Sequence, residues 1–219
     1  MTSQTDRRIV FDLDGTLLDT SHRHHYLYCT LLDSLGSGIE PLPKSRFWCR
    51  KRSGKSTMDL IRDDLSESER EKFSNNWIDK IESQEYLSYD SLIPGTRPAL
   101  EHLEDEFDLY LLTRRTNSAN ARRQVADFDL KQYFRRILVV SHDGPEKSQV
   151  LTEEFSHFTT ADIVIGDTGE DIRSGNAVGA TTVGVLSGIR NRSRLEQAEP
   201  NQLIAAVHQF PYHLSEVTH

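Results

Sequence analysis

Five short apolar runs constrain the fold of this chain more than anything else in it. They are residues 7–12, 109–112 (LYLL), 137–140 (ILVV), 163–165 (IVI) and 182–186 (TVGVL). A strand that is apolar on both faces belongs inside a parallel sheet, covered by helices above and below. Segments of helical length fall at 96–105, 117–128, 147–157 and 170–178. Strand alternating with helix predicts an α/β fold built on a doubly wound, Rossmann-like parallel sheet. The interval 20–92 breaks the alternation. It has no β-branched run and holds charged, helix-friendly stretches at 57–64 and 66–85. It predicts an inserted helical cap over 21–92, with the core formed by 1–20 and 93–219. Pro94-Gly95 marks the return to the core. The tail, 194–208, reads as one more helix.

The chain has 219 residues, of which 36% are hydrophobic, so it can bury one core and a smaller second unit. No apolar run approaches the roughly 18 residues of a membrane span, and none of signal-peptide length precedes Ile9. Cys29 and Cys49 form neither a CxxC nor a zinc spacing, which fits free thiols in a reducing compartment. A cytoplasmic protein with no membrane partner is expected. The net charge of −8 argues against general nucleic-acid binding.

In an open parallel sheet, ligands bind beyond the carboxyl ends of the strands. The residues there are unusual. The first run ends in FDLDGTLLDT, the second in Thr113-Arg114-Arg115, the third in Ser141-His142-Asp143 with Lys147 soon after, and the fourth in GDTGED. One rim thus gathers Asp12, Asp14, Asp167 and Asp171 with Thr113 and Lys147. Alternation along a strand puts Asp12 and Asp14 on one side and Leu13 on the other. Crowded carboxylates repel and raise one another's pKa, a cost that a divalent cation removes. An all-oxygen set suits Mg²⁺. A cation, a lysine, a hydroxyl and backbone N–H groups are what a transferring phosphoryl group needs. One carboxylate could attack phosphorus and the other move the proton.

FDLDGTLLDT, LLTRRTN, Lys147 in PEKSQVL and IGDTGEDI resemble, in order, the four motifs of the haloacid dehalogenase superfamily of phosphohydrolases. The resemblance covers about 1–20 and 93–190. It implies that Asp12 is the nucleophile and Asp14 the general acid/base, and that Thr113 and Lys147 hold the phosphoryl oxygens. It also implies that Asp12, the Asp14 carbonyl and Asp167 bind Mg²⁺, with Asp171 supporting them. Gly15 and Arg114 are expected beside the substrate. The insertion resembles the helical cap of the phosphoglycolate-phosphatase and β-phosphoglucomutase-like branch. Asp14 disfavours dehalogenation, since dehalogenase members lack an acid there. No cap lysine clearly matches the Schiff-base lysine of phosphonate-cleaving members.

The insertion is charge-segregated: 44–55 (KSRFWCRKRSGK) carries six basic and no acidic residues, and 63–71 carries five acidic ones. Arg50, Arg52 and Lys55 are candidate substrate contacts, against the plainer reading of a solvated basic face. RSGKST is not expected to be a P-loop, because Cys49 stands where the glycine should be and no strand precedes it. HRHH at 22–25 lacks an evident third ligand for zinc. His24 lies twelve residues after Asp12, where sugar-phosphate mutases resemble it in carrying a histidine; a solvated helix histidine is the alternative. Trp48, Trp77 and Phe73 read as cap packing. The expected function is a Mg²⁺-dependent phosphatase for a small anionic phosphate ester, working through an aspartyl-phosphate as a monomer or weak homodimer. A phosphosugar mutase and a non-catalytic binding protein on the same scaffold are the alternatives.

Overall fold

The structure, a computed structural model, describes residues 7–211; 1–6 and 212–219, the ends of the expected core, lie outside the described residues. The first strand, β1 (Arg8–Phe11), leads through a loop into β2 (Leu18–Asp19). The inserted helices follow: α1 (Ser21–Leu35), α2 (Lys44–Arg52), α3 (Glu67–Ile81) and α4 (Gln84–Leu87). The chain returns through β3 (Ser91–Leu92) and then alternates: α5 (Thr96–Leu103), β4 (Asp108–Arg114), α6 (Ser118–Asp127), β5 (Arg136–Val140), α7 (Lys147–Glu154), β6 (Ile163–Gly166), α8 (Gly169–Val178) and β7 (Thr181–Val185). It closes with α9 (Arg192–Glu196) and β8 (Gln202–Ile204).

Six strands form one parallel sheet in the order β5-β4-β1-β6-β7-β8. β1 lies between β4 and β6, with Ile9 in register with both Leu109 and Ile163. The strand order reverses at β1, so its carboxyl end is the switch point where a crevice opens. Alternation along the strands feeds two cores. Ile9, Phe11, Leu109, Leu111, Ile163 and Ile165 pack with Leu100, Leu103 and Val125 on one face. Val10, Leu112 and Val164 pack with Leu151 and Phe155 on the other. Phe11 is fully buried, and truncating such a side chain to alanine costs about 3–5 kcal/mol.

The inserted helices bury a core of their own around Leu27, Tyr28, Leu31, Phe47 and Phe73. Tyr28 stacks on Phe47 at 4.7 Å between ring centroids. A capping box, in which Ser66 and Glu69 satisfy each other's backbone N–H, starts α3. The two connections between insertion and sheet meet in the antiparallel pair β2–β3, where Leu18 faces Leu92.

Three details depart from the sequence reading. The tail 194–208 is not one helix: α9 stops at Glu196, Pro200 follows, and 202–204 extend the sheet as β8 against β7. Proline cannot continue a helix, and the open edge of β7 offers the backbone hydrogen bonds that a strand can take. Residues 57–64 form two short 3-10 turns, Met58–Leu60 and Arg62–Asp64. The 66–85 stretch divides at Glu82 and Ser83 into α3 and α4. Among the described residues no helix is long and apolar enough to cross a membrane, and Cys29 and Cys49 are free.

Candidate active site

The loop after β1 is pinned from below. Leu13, Leu17 and Leu18 are fully buried, and the Leu17 and Leu18 N–H groups both donate to the Leu13 carbonyl, at 2.9 and 3.0 Å. The Asp12 N–H donates to the Ile165 carbonyl at 2.9 Å, which holds this aspartate at the sheet's rim. Gly15 has φ +78°, and a Cβ there would come within 2.2 Å of Asp167 Oδ2. Only glycine meets both conditions at low cost. The tight turn therefore lets the loop after β1 close against the end of β6.

Lys147 opens α7 and reaches back across the rim. Its Nζ lies 2.6 Å from Asp12 Oδ1 and 2.6 Å from Asp171 Oδ1, and all three side chains are buried. Burial would lower the lysine pKa, but the two carboxylates outweigh it and push it up, so the ammonium persists. Asp171 closes a capping box with Thr168 at the start of α8, accepting from the Thr168 N–H at 3.0 Å and its hydroxyl at 2.6 Å. Both its oxygens are thus engaged. Thr113, at the end of β4, is 1% exposed and its hydroxyl has no partner. A buried unpaired hydroxyl is costly and marks a place where a ligand oxygen would be welcome.

Asp12, Asp167 and Asp171 each offer a carboxylate oxygen within 4.8 Å of the others. Burial, together with Asp12 and Asp171, pushes Asp167 well above the ordinary carboxylate range. Burial and the neighbouring acids raise Asp12 to about 7 in spite of Lys147. Asp167 Oδ2 accepts the Ile189 N–H at 2.6 Å, whereas Oδ1 is buried without a partner. This cluster could hold a metal ion: a cation would complete the orphan oxygen and remove the repulsion.

Asp14 faces two arginines. Arg115 grips it bidentately, Nε to Oδ2 at 2.5 Å and Nη2 to Oδ1 at 2.6 Å, and Arg23 Nη2 reaches Oδ1 at 2.8 Å. Burial would raise the Asp14 pKa; Arg115 and Arg23 overcome that and hold it well below the usual range. The contacts close into a ring. Arg115 donates to Gln124 at 3.0 Å, Gln124 donates to Asp90 at 2.8 Å, and Asp90 lies 3.2 Å from Arg23 Nε. Arg23 belongs to α1 and Asp90 directly precedes β3, so the ring straddles the joint between insertion and sheet.

A cavity of about 300 Å³ opens above these groups. Asp12, Asp14, Thr113, Lys147, Asp167 and Arg114 line it from the sheet and His24 from α1, which brings together most of the residues singled out in the sequence. Gly15 and Asp171 sit behind this layer. Arg114 is tied to the Glu170 carboxylate and to the Ser141 and Pro145 carbonyls, at 2.6 and 3.0 Å. Arg50, Arg52 and Lys55 do not line the cavity. Arg50 and Lys55 are exposed, and Arg52 donates to the Leu186 carbonyl at 2.6 Å. With Arg190 to the Lys51 carbonyl and Arg194 to the Ser53 carbonyl, at 3.2 and 2.8 Å, it docks the basic segment on the loop after β7 and on α9. Trp77 packs beside Phe73 as expected and also walls the cavity, with Ile81.

Arg23, Arg115, Glu82 and His142 line the same cavity but drew no role from the sequence. Arg115 and His142 stand in the strand-end motifs already quoted, so proximity to Thr113 and Lys147 was an available signal. Arg23 and Glu82 had none, because only packing brings them there. Glu82 accepts the Asn117 N–H at 2.8 Å and the Thr116 N–H at 3.2 Å, and lies 3.4 Å from His142 Nε2.

The sequence profile of the family described as haloacid dehalogenase-like hydrolase matches residues 9–185. The chain belongs to this family, as its four motifs implied. No curated protein matches it in sequence. Similar solved structures include a haloacid dehalogenase-like family hydrolase from Streptococcus pneumoniae, 23% identical, with a TM-score of 0.75 over 97% of this chain and 99% of that one. A protein described as a predicted phosphatase from Clostridium acetobutylicum is 20% identical, with a TM-score of 0.74 over 98% and 100%. One described as a predicted phosphoglycolate phosphatase from Haemophilus somnus is 17% identical, with a TM-score of 0.70 over 97% and 99%. At these identities the likeness is one of fold.

Proposed function

We propose that this chain is a Mg²⁺-dependent phosphatase that hydrolyses small phosphate monoesters through Asp12. One observation carries the reading. The Asp12 carboxylate touches the Lys147 ammonium at 2.6 Å in a cavity that is also lined by Thr113, whose hydroxyl is unpaired, and by Asp167 with its orphan oxygen. Asp12, Asp167 and the Asp14 carbonyl would hold the metal, with Asp171 behind them. When bound, the metal supplies charge neutralisation at the phosphoryl oxygens.

The protein's own groups do the rest. Lys147 and Thr113 seat the phosphoryl oxygens. An Asp12 oxygen bonds to phosphorus as the ester P–O bond breaks, and water then attacks the aspartyl-phosphate and releases inorganic phosphate. Asp14 exchanges protons with the leaving oxygen and with that water. Its grip by Arg115 and Arg23 favours the ionised form, which suits the second role. We take residues 21–92 as the cap, excluding bulk water over a core of 1–20 and 93–219.

Asp12→Asn keeps the shape and removes the nucleophile. It should lower phosphate release from p-nitrophenyl phosphate by more than about 10³-fold. Normal turnover by a variant free of contaminating phosphatase would remove Asp12 from this role.

A further inference from the structure

The geometry of the cavity points to a substrate whose leaving group is uncharged and presents an apolar or aromatic face, a monoester with no anionic group beyond its one phosphate. This inference rests on the phosphatase reading and adds the substrate class to it.

Asp12, Thr113 and Lys147 are the phosphoryl groups of the cavity lining. The insertion and the loops after β4 and β5 add Arg23, His24, Trp77, Ile81, Glu82, Arg115 and His142, and we place the leaving group against these. A carboxylate or second phosphate there would need a cation to receive it. Each cationic group lining the cavity is already matched to a carboxylate. Arg115 is bidentate on Asp14, and Arg23 bridges Asp14 and Asp90 at 2.8 and 3.2 Å. Arg114 is paired with Glu170, His142 with Glu82, and Lys147 with Asp12 and Asp171. Arg115 Nη1, Arg23 Nε and His24 Nδ1 are buried without a hydrogen-bond partner. They can meet a neutral polar atom of the leaving group, but neither arginine is free of its carboxylate. Drawing either arginine toward a substrate anion would strip a buried carboxylate of its partner, so the gain would be offset by the loss. The Glu82 carboxylate would repel the newcomer as well.

His24 supplies no charge either. Its ring sits edge-on to Trp48 and Trp77, at 5.8 and 5.7 Å between centroids. Burial, reinforced by Arg23 and Lys51, keeps its imidazole neutral. What these groups do offer is surface. Trp77 and Ile81, one turn apart on α3, wall the cavity side by side. A volume of about 300 Å³ lies at the small end of the range for ligand pockets and fits a leaving group the size of a single ring or a short chain. A bisphosphate or a phosphorylated carboxylic acid meets neither condition.

Matched ester pairs test this with the intact chain and Mg²⁺, reading phosphate release. Phenyl phosphate is compared with 4-carboxyphenyl phosphate, and 2-hydroxyethyl phosphate with 2-phosphoglycolate. The uncharged member of each pair should have the higher kcat/KM, by about tenfold or more, with the difference mainly in KM. Phenyl phosphate should exceed hydroxyethyl phosphate, and Trp77→Ala should shrink that advantage through KM. Equal or faster turnover of the charged members overturns the inference while leaving the phosphatase reading intact. If neither these esters nor p-nitrophenyl phosphate release phosphate, the phosphatase reading falls and takes this inference with it.

Discussion

At Asp167 the protein spends two glycines on one side chain. Gly15 lies on one flank, and Gly188 lies so close on another that a Cβ there would come within 1.9 Å of Oδ2 and 2.4 Å of Cγ. The Ile189 N–H, one residue on, fixes the same oxygen at 2.6 Å and leaves the carboxylate no room to turn away. Oδ1 stays buried without a partner, within a residue that belongs to the acidic cluster. Gly188→Ala should therefore rotate or displace Asp167 and weaken Mg²⁺ binding by about 10–100-fold, the usual loss when a ligand's support is removed. Titration calorimetry on the variant would check this, and unchanged affinity would show that the cradle does not orient the ligand.

At the scale of elements, the end of α3 is latched to the sheet. Glu82 joins the Thr116 and Asn117 N–H groups after β4 to His142 after β5. The hydrogen bond that His142 donates to Glu82 raises the His142 pKa above its ordinary 6.5, against the effect of burial. Burial would raise Glu82, but His142 and the Asn117 N–H lower it below 4.5. A raised histidine stabilises below its unfolded value and loses that contribution as pH rises through the folded one. A depressed glutamate stabilises above its unfolded value and loses it as pH falls through the folded one. The latch should thus hold fully between about pH 4.5 and 6.5 and loosen on either side. His142 is more than half exposed, so the histidine's share is about 0.2–1 kcal/mol. Amide exchange at Thr116 and Asn117, corrected for intrinsic rate, should show a few-fold loss of protection from pH 6 to pH 8. His142→Gln should abolish that pH dependence; if it persists, another group carries it.

For the whole molecule, the acidic cluster is a source of repulsion that a bound cation would relieve. A ligand that binds only the folded chain at 100 times its Kd adds about 2.7 kcal/mol of stability. In a chain of this length that corresponds to about 5–10 °C in Tm. Saturating Mg²⁺ should produce such a shift and chelation should reverse it. Asp167→Asn should raise the metal-free Tm, because it removes one of three repelling carboxylates, and should abolish the response. A variant that still gains the full shift would place the metal elsewhere.

Different ranges of interaction explain what could be read in advance. The sheet strands β1, β4, β5, β6 and β7 are apolar runs whose local pattern suits a buried sheet; Asp12, Thr113 and Asp167 stand at their carboxyl ends, and Lys147 opens the helix after β5. β2 and β3 are two residues each, and β8 is three, too short to carry a period; each exists because a partner strand offers its edge. Arg23, Trp77 and Glu82 belong to the insertion and reach Asp14 or the cavity only through its packing on the sheet, and Arg115 meets Asp14 through the pairing of β1 with β4. The sequence by itself determined the parallel sheet and the acidic rim, because both arise from short-range periodicity and from residues adjacent to it. Which side chains wall the leaving group, and which arginine charges are already spent on carboxylates, was decided only by tertiary packing, since those contacts join residues up to 101 positions apart.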